Sequence, residues 1–142
     1  MAELRILPFK DSDKDYVIAN TDILSDSIEE SLGTLETLHS SDYAAHVRKE
    51  IEGLIKVLKQ MLDHLDKWVQ AQKYWVTIDP IYNSGLFANI FASKQRDFLE
   101  TRSQFRRIMW SSYRNPNGMY NLMIKDRMKV FIKLTEYYLV VQ

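Results

Sequence analysis

Between Tyr43 and Asp79 the inward positions recur without a break: Val47, Ile51, Leu54, Leu58, Met61, Leu65, Trp68, Gln72 and Trp75, at alternating intervals of four and three. A second row, Ile55, Leu62, Val69 and Val76, lies one residue after every other member of the first. Together the rows form a wide stripe on one face of a helix. At 1.5 Å per residue that helix is about 55 Å long. Such a length suits a mechanical or scaffolding part better than the wall of a catalytic pocket. Gln72 is the polar member of the stripe. If it is buried its amide needs partners, and it then fixes the register or the backbone of a neighbouring segment. At the edge of the stripe it needs none.

The remaining patterns predict shorter elements. Leu4 to Phe9 and Tyr16 to Ala19 read as two short strands around an Asp-rich turn, a hairpin over 4–19 with Pro8 restricting the first strand to an edge. A lone hairpin is marginal in water, so it must lean on other elements. Asn20, Thr21 or Asp22 can cap a helix over about 22–38, with Leu24, Ile28, Leu32, Leu35 and Leu38 inward. Ser41 or Asp42 can cap the long helix, expected over about 43–79. Asp79 precedes Pro80 and is biased away from helical geometry, so the helix should end there. A loop over 81–92 leads to a helix over 93–112 capped by Ser93, with Phe98, Phe105, Ile108 and Met109 inward. Arg114 to Gly118 reads as a turn. A last helix spans 119–140, with Tyr120, Ile124, Phe131, Leu134 and Tyr138 on one face. The expected architecture is mainly α: one elongated helical bundle of residues 1–142 with one very long helix and a small N-terminal β-hairpin.

Composition narrows the function classes. The 142 residues suffice for one domain, and 46% hydrophobic with 27% charged content is ordinary for a soluble protein. Zero Cys excludes disulfides and thiolate metal sites and fits a reducing compartment. Glu3 and Arg5 interrupt the first residues, so no secretory leader is expected. No apolar run approaches the length a membrane span needs, the longest being Tyr137 to Val141. That uncapped apolar end reads as the cut end of a longer helix.

Net charge is zero but segregated. Residues 1–42 hold ten acidic and three basic side chains, and residues 94–133 hold ten basic and three acidic. The simplest reading is mutual attraction within the fold or plain solvation. A sharper one is a basic docking face for an acidic protein partner. Nucleic acid is not expected, since no basic run is interleaved with aromatics in a binding motif.

Catalytic patterns are missing. Gly33, Gly53, Gly85 and Gly118 are isolated, so no phosphate-cradling loop forms. His39, His46 and His64 are scattered, and His46 with Glu50 supplies two ligands where a catalytic metal takes three. Asp63 and Asp66 fall on the polar side of the long helix. No serine sits in a nucleophile elbow. No metal, cofactor or catalytic residue is assigned. The rings of Trp68, Tyr74, Trp75 and Tyr82 are read as core rather than as a ligand cage.

The stretch from Leu65 to Tyr82 resembles the linker region of dynein heavy chains. It carries Trp68, then Gln72-x-x-Trp75, then Asp79-Pro80-Ile81-Tyr82, where that family has a Trp, Gln-x-x-Trp and Leu-Glu-Pro-Ile-Phe. Downstream, Phe98 and Arg107-Ile108-Met109 fall where the family has a Phe and an Ile-Met. Upstream, Tyr16-Val17-Ile18, Leu24 to Ser27 and Leu35 to Leu38 resemble its hairpin and first helix. This chain departs at Phe91 to Lys94, where the family has Leu-Pro-x-Glu. It departs also at Arg102 and Phe105, where Asp and Trp are frequent, and near Leu54, where a Trp is common. The resemblance implies a piece of a lever arm lying across a ring of ATPase modules, bending and straightening as ATP is bound and hydrolysed. ATP and Mg belong to that ring and not to this chain, which is then non-catalytic. Implied partners are the rest of the heavy chain with its ATPase ring and other dynein subunits, in the cytoplasm and cytoskeleton, including the axoneme of a cilium. The alternative is a free-standing helical adaptor that binds a partner helix through the stripe of residues 47–76.

Overall fold

The computed structural model describes residues 3–9, 15–84 and 95–141, with the side chains of 81–84, 95, 96 and 137–141 outside the description. Strands β1 (Ile6–Pro8) and β2 (Tyr16–Ile18) pair antiparallel, with Ile6 opposite Ile18 and Pro8 opposite Tyr16. Alternation places Leu4, Ile6, Tyr16 and Ile18 in the core. Helix α1 (Thr21–His39) follows, then a 3-10 turn (Asp42–Val47) and the long helix α2 (Arg48–Ser84). After the undescribed segment come α3 (Gln95–Arg114), the short α4 (Gly118–Leu122) and α5 (Arg127–Val141).

The long helix is the spine. Helices α1 and α5 pack along it, while α3 packs on α5 and carries the hairpin. One continuous core joins Ile6 and Ile18, Leu24 and Ile28, Met61, Leu65, Trp68 and Trp75, Phe105 and Met109, and Phe131 and Leu134. The fold is mainly α with a small N-terminal hairpin, and the stripe is buried against this chain's own helices from Met61 onward.

Several expected boundaries shift. The long helix does not begin as α-helix at 43: Asp42–Val47 is 3-10, with Ser41 Oγ accepting from Tyr43 N at 3.3 Å. Nor does it stop at Pro80, which lies inside a helix that continues to Ser84. A proline there deprives the Val76 carbonyl of its amide partner, a cost of roughly 3 kcal/mol. Tertiary anchoring just before the proline offsets it: Ile78 is fully buried, and the Asp79 carboxylate accepts from Arg102 Nη1 at 3.2 Å. The last helix is two helices. Met123 N turns back to Tyr120 O at 3.3 Å, and the chain bends through 123–126 before α5. Leu38, Val47, Leu54 and Tyr120, expected inward, are exposed, because the terminal turns of α1 and α2 and the outer face of α4 extend past their packing partners. Asn20 makes no side-chain cap on α1; its amide joins the chain at Glu3 and Arg5 instead. The Asp-rich turn at 10–14, the Ser93 cap, the departure at 91–94, and the side chains of Ile81, Tyr82 and Tyr138 lie outside the described residues.

Candidate functional site

The residues singled out by sequence gather on the second half of α2, where the hairpin, α3 and α5 meet it. Ile6 and Ile18 face each other in the hairpin, and the N–H and C=O of Ile18 point away from β1. Both are taken by one side chain. Ile18 N donates to Gln72 Oε1 at 2.8 Å, and Gln72 Nε2 donates to Ile18 O at 3.1 Å. The Gln72 amide thus acts as a third strand one residue long, closing an otherwise open edge. A primary amide is needed, since it carries a donor and an acceptor side by side. Asn20 repeats the device at the other end of the hairpin, accepting from Arg5 N and donating to Glu3 O, both at 2.9 Å. Leu4 N donates to Pro116 O at 2.7 Å, so the loop after α3 also grips the first strand.

Four residues before Gln72, Trp68 is fully buried. Its Nε1 donates to Met109 Sδ at 3.2 Å, its ring stacks on Phe131 at 5.7 Å, and the Arg127 guanidinium lies 5.6 Å from its centroid. Three residues after Gln72, Trp75 meets Phe9 at 5.8 Å and Phe105 at 5.3 Å. Its Nε1 is sealed from solvent with no hydrogen-bond partner. The helical spacing that puts 68, 72 and 75 on one face therefore lets a single helix hold α3 and α5 with two indoles and the hairpin with one amide. Phe98 and Met109 are buried on α3, and Pro80 is exposed. Arg106 bridges the hairpin and the spine, with Nε 2.7 Å from Asp15 Oδ1 and Nη2 4.0 Å from Asp79 Oδ2.

Two buried polar groups were not singled out from the sequence. His64 is buried beneath the break between α4 and α5. Its Nδ1 lies 2.8 Å from Leu122 O, and since a carbonyl only accepts, Nδ1 carries the proton. The bond satisfies a carbonyl that the end of α4 leaves without a helical partner. Nε2 is then a bare acceptor with no partner. Burial pushes the imidazole below its usual pKa, the Leu122 bond opposes this, and the nearby Arg127 charge adds to the lowering. The position could have been read from spacing, since 64 lies three after Met61 and four before Trp68 on the inner face. Arg127 is the second group. Its Nη1 donates to Ser112 Oγ at 3.1 Å and to Asn121 Oδ1 at 2.9 Å. Asn121 Nδ2 in turn holds Asn115 O at 2.7 Å and Asn117 O at 2.8 Å. Asn117 also caps α4 through Tyr120 N at 2.9 Å, so the turn read at 114–118 is a connector held from both sides.

This arrangement binds one element to another. Among the described residues no group of three or more His, Asp or Glu gathers as metal ligands, and no helix is long and apolar enough to cross a membrane. Asp63 and Asp66 are exposed on the outer face of α2.

The sequence family described as dynein heavy chain, N-terminal region 2, matches over residues 1–138. Similar proteins include dynein axonemal heavy chain 6 of Homo sapiens, 25% identical over 117 residues, which are 82% of this chain and 3% of that protein. Dynein axonemal heavy chain 1 of Mus musculus is 22% identical over 110 residues, 78% of this chain and 3% of that protein. The dynein gamma chain, flagellar outer arm, of Chlamydomonas reinhardtii is 21% identical over 111 residues, again 78% of this chain and 2% of that protein. The chain thus spans a few hundredths of the length of the curated relatives it matches. With a family match over nearly its whole length, the chain belongs to the dynein heavy chain N-terminal region 2 family.

Proposed function

We propose that this segment is part of the linker of a dynein heavy chain: a non-catalytic lever element that bends and straightens with the ATPase cycle of the motor ring and so drives movement along microtubules. The observation that carries the reading is the match to the N-terminal heavy-chain family over residues 1–138. The geometry supports it. A 37-residue helix is held by α1 and α5 and, at its second half, by the hairpin and α3, so this segment suits a stiff, load-carrying part of such an arm. Relatives named as axonemal and flagellar point to a cilium or flagellum as its place and to a dynein complex as its setting. The adaptor alternative loses its main support, because Met61, Leu65, Trp68 and Trp75 of the stripe are covered within the chain.

The Gln72 clamp supplies the experiment. In the heavy chain that contains this segment, Gln72→Glu removes the donor to Ile18 O and sets a carboxylate against that carbonyl. The lever reading expects ATP turnover to persist while microtubule gliding slows several-fold. Gliding at the original speed after the hairpin has been freed, shown by loss of amide protection at Ile18, would refute it.

A further inference from the structure

Arg127 as a whole residue is 6% exposed and makes no ion pair among the described residues. Its neighbours on the protein side are neutral: the Ser112 hydroxyl, the Asn121 amide oxygen and the Trp68 ring. Burial lowers its pKa, and the nearby Tyr120 hydroxyl opposes that lowering. A charge so placed normally has a partner. Both protein hydrogen bonds fall on Nη1, which leaves Nε and Nη2. Among the described residues the polar side-chain atoms both sealed and unbonded are His64 Nε2 and Trp75 Nε1, so Nε and Nη2 of Arg127 keep a narrow contact with solvent. These two nitrogens form the side edge of the guanidinium, the fork that takes a carboxylate with two parallel hydrogen bonds.

Arg127 lines an open groove of about 370 Å³ between α3 and the start of α5. Ile108 and Val130 give it apolar walls, Arg107 and Ser111 add a second cation and a hydroxyl, and Asp126 stands exposed on its rim. The surrounding stretch, residues 94–133, carries ten basic and three acidic side chains. Arg102 and Arg106 in it are taken by Asp79 and Asp15, whereas Arg107 and Arg127 make no ion pair among the described residues. We infer that this groove is a docking site for an acidic protein segment, whose carboxylate side chain forks onto Nε and Nη2 of Arg127 while an adjacent aliphatic side chain lies on Ile108 and Val130. A free inorganic anion matches the charge but leaves the apolar walls uncovered, and a planar carboxylate matches the fork.

The test follows the Arg127 Nε–H resonance of the 142-residue chain at fixed ionic strength. Three probes are titrated: the blocked tripeptide acetyl-Leu-Glu-Leu-amide, its Gln counterpart, and inorganic phosphate. The expected result is a saturable shift with the Glu peptide and at least tenfold weaker binding of both the Gln peptide and phosphate. Because Arg127 also holds the α4–α5 break, the discriminating variant is Arg107→Gln, whose side chain is exposed; it should keep the fold and weaken the Glu peptide several-fold. Equal binding of the two peptides, an unmoved resonance, or phosphate binding as tightly as the Glu peptide would each overturn the proposal. So would a shift that appears without peptide as the chain is concentrated, since the occupant would then be a second copy.

Discussion

At the scale of single residues, the stripe positions differ sharply in what they do. Trp75 fills the space between the hairpin residue Phe9 and Phe105 of α3, and it is 2% exposed. Trp75→Ala should lower stability by about 3–5 kcal/mol in urea unfolding, and a loss under about 1 kcal/mol would contradict a buried ring. Gln72 was legible as an anomaly on the stripe, and a buried amide there had to bind a neighbouring backbone. Which backbone could not be read, because Ile18 lies 54 residues away. His64 has a pH consequence. Its folded-state pKa is depressed below 6.5, mainly by burial. As pH falls below that value the unfolded chain protonates first, so stability is complete above about 6.5 and declines toward the lower folded pKa. Unfolding free energy should therefore drop between pH 7.5 and 5, and His64→Leu should flatten part of that slope. An unchanged slope in the variant would mean that His64 titrates alike in both states.

At the scale of elements, local preference located the helices and tertiary contacts moved their ends. The pattern over 43–79 made the long helix unmistakable, because four-and-three spacing over so many turns has no strand counterpart. The proline rule misplaced its end, since it weighs only the local backbone, whereas Ile78 and Asp79 are fastened to the rest of the molecule. The break at 123–126 contains no proline or glycine and had no local signal. It is held by Arg127, which binds Asn121, and by His64, which takes the Leu122 carbonyl at the end of α4. Two glycines remain where helix propensity alone acts: a Cβ added at Gly33 or Gly53 meets nothing within 4 Å. Gly33→Ala and Gly53→Ala should each stabilise the chain by roughly 0.5–1 kcal/mol in thermal or urea unfolding. A loss of stability at either position would show that the helix there is not straight and exposed.

At the scale of the whole molecule, the segregated charge is partly consumed inside the fold. Asp15 from the acidic end and Arg106 from the basic stretch meet at 2.7 Å, beside Asp79 of the spine. Arg107 and Arg127 are among the cations left without an ion pair among the described residues. The mainly helical fold class followed from periodicity; what covers the stripe did not, nor did the hairpin's seat on α3, because Tyr16 stacks on Tyr113 at 4.7 Å across most of the chain's length. What emerges is a bundle built on one long helix and clamped near that helix's second half, in a family of motor heavy chains. We propose that this bundle moves as a lever. The most direct measurement places a fluorophore on the exposed outer face of α2 through Lys59→Cys in the full heavy chain, with a second on its ATPase ring, and follows energy transfer through the nucleotide cycle. The lever account expects two transfer efficiencies that switch with nucleotide while the labelled motor still glides. A single efficiency in every nucleotide state of a gliding motor would contradict it.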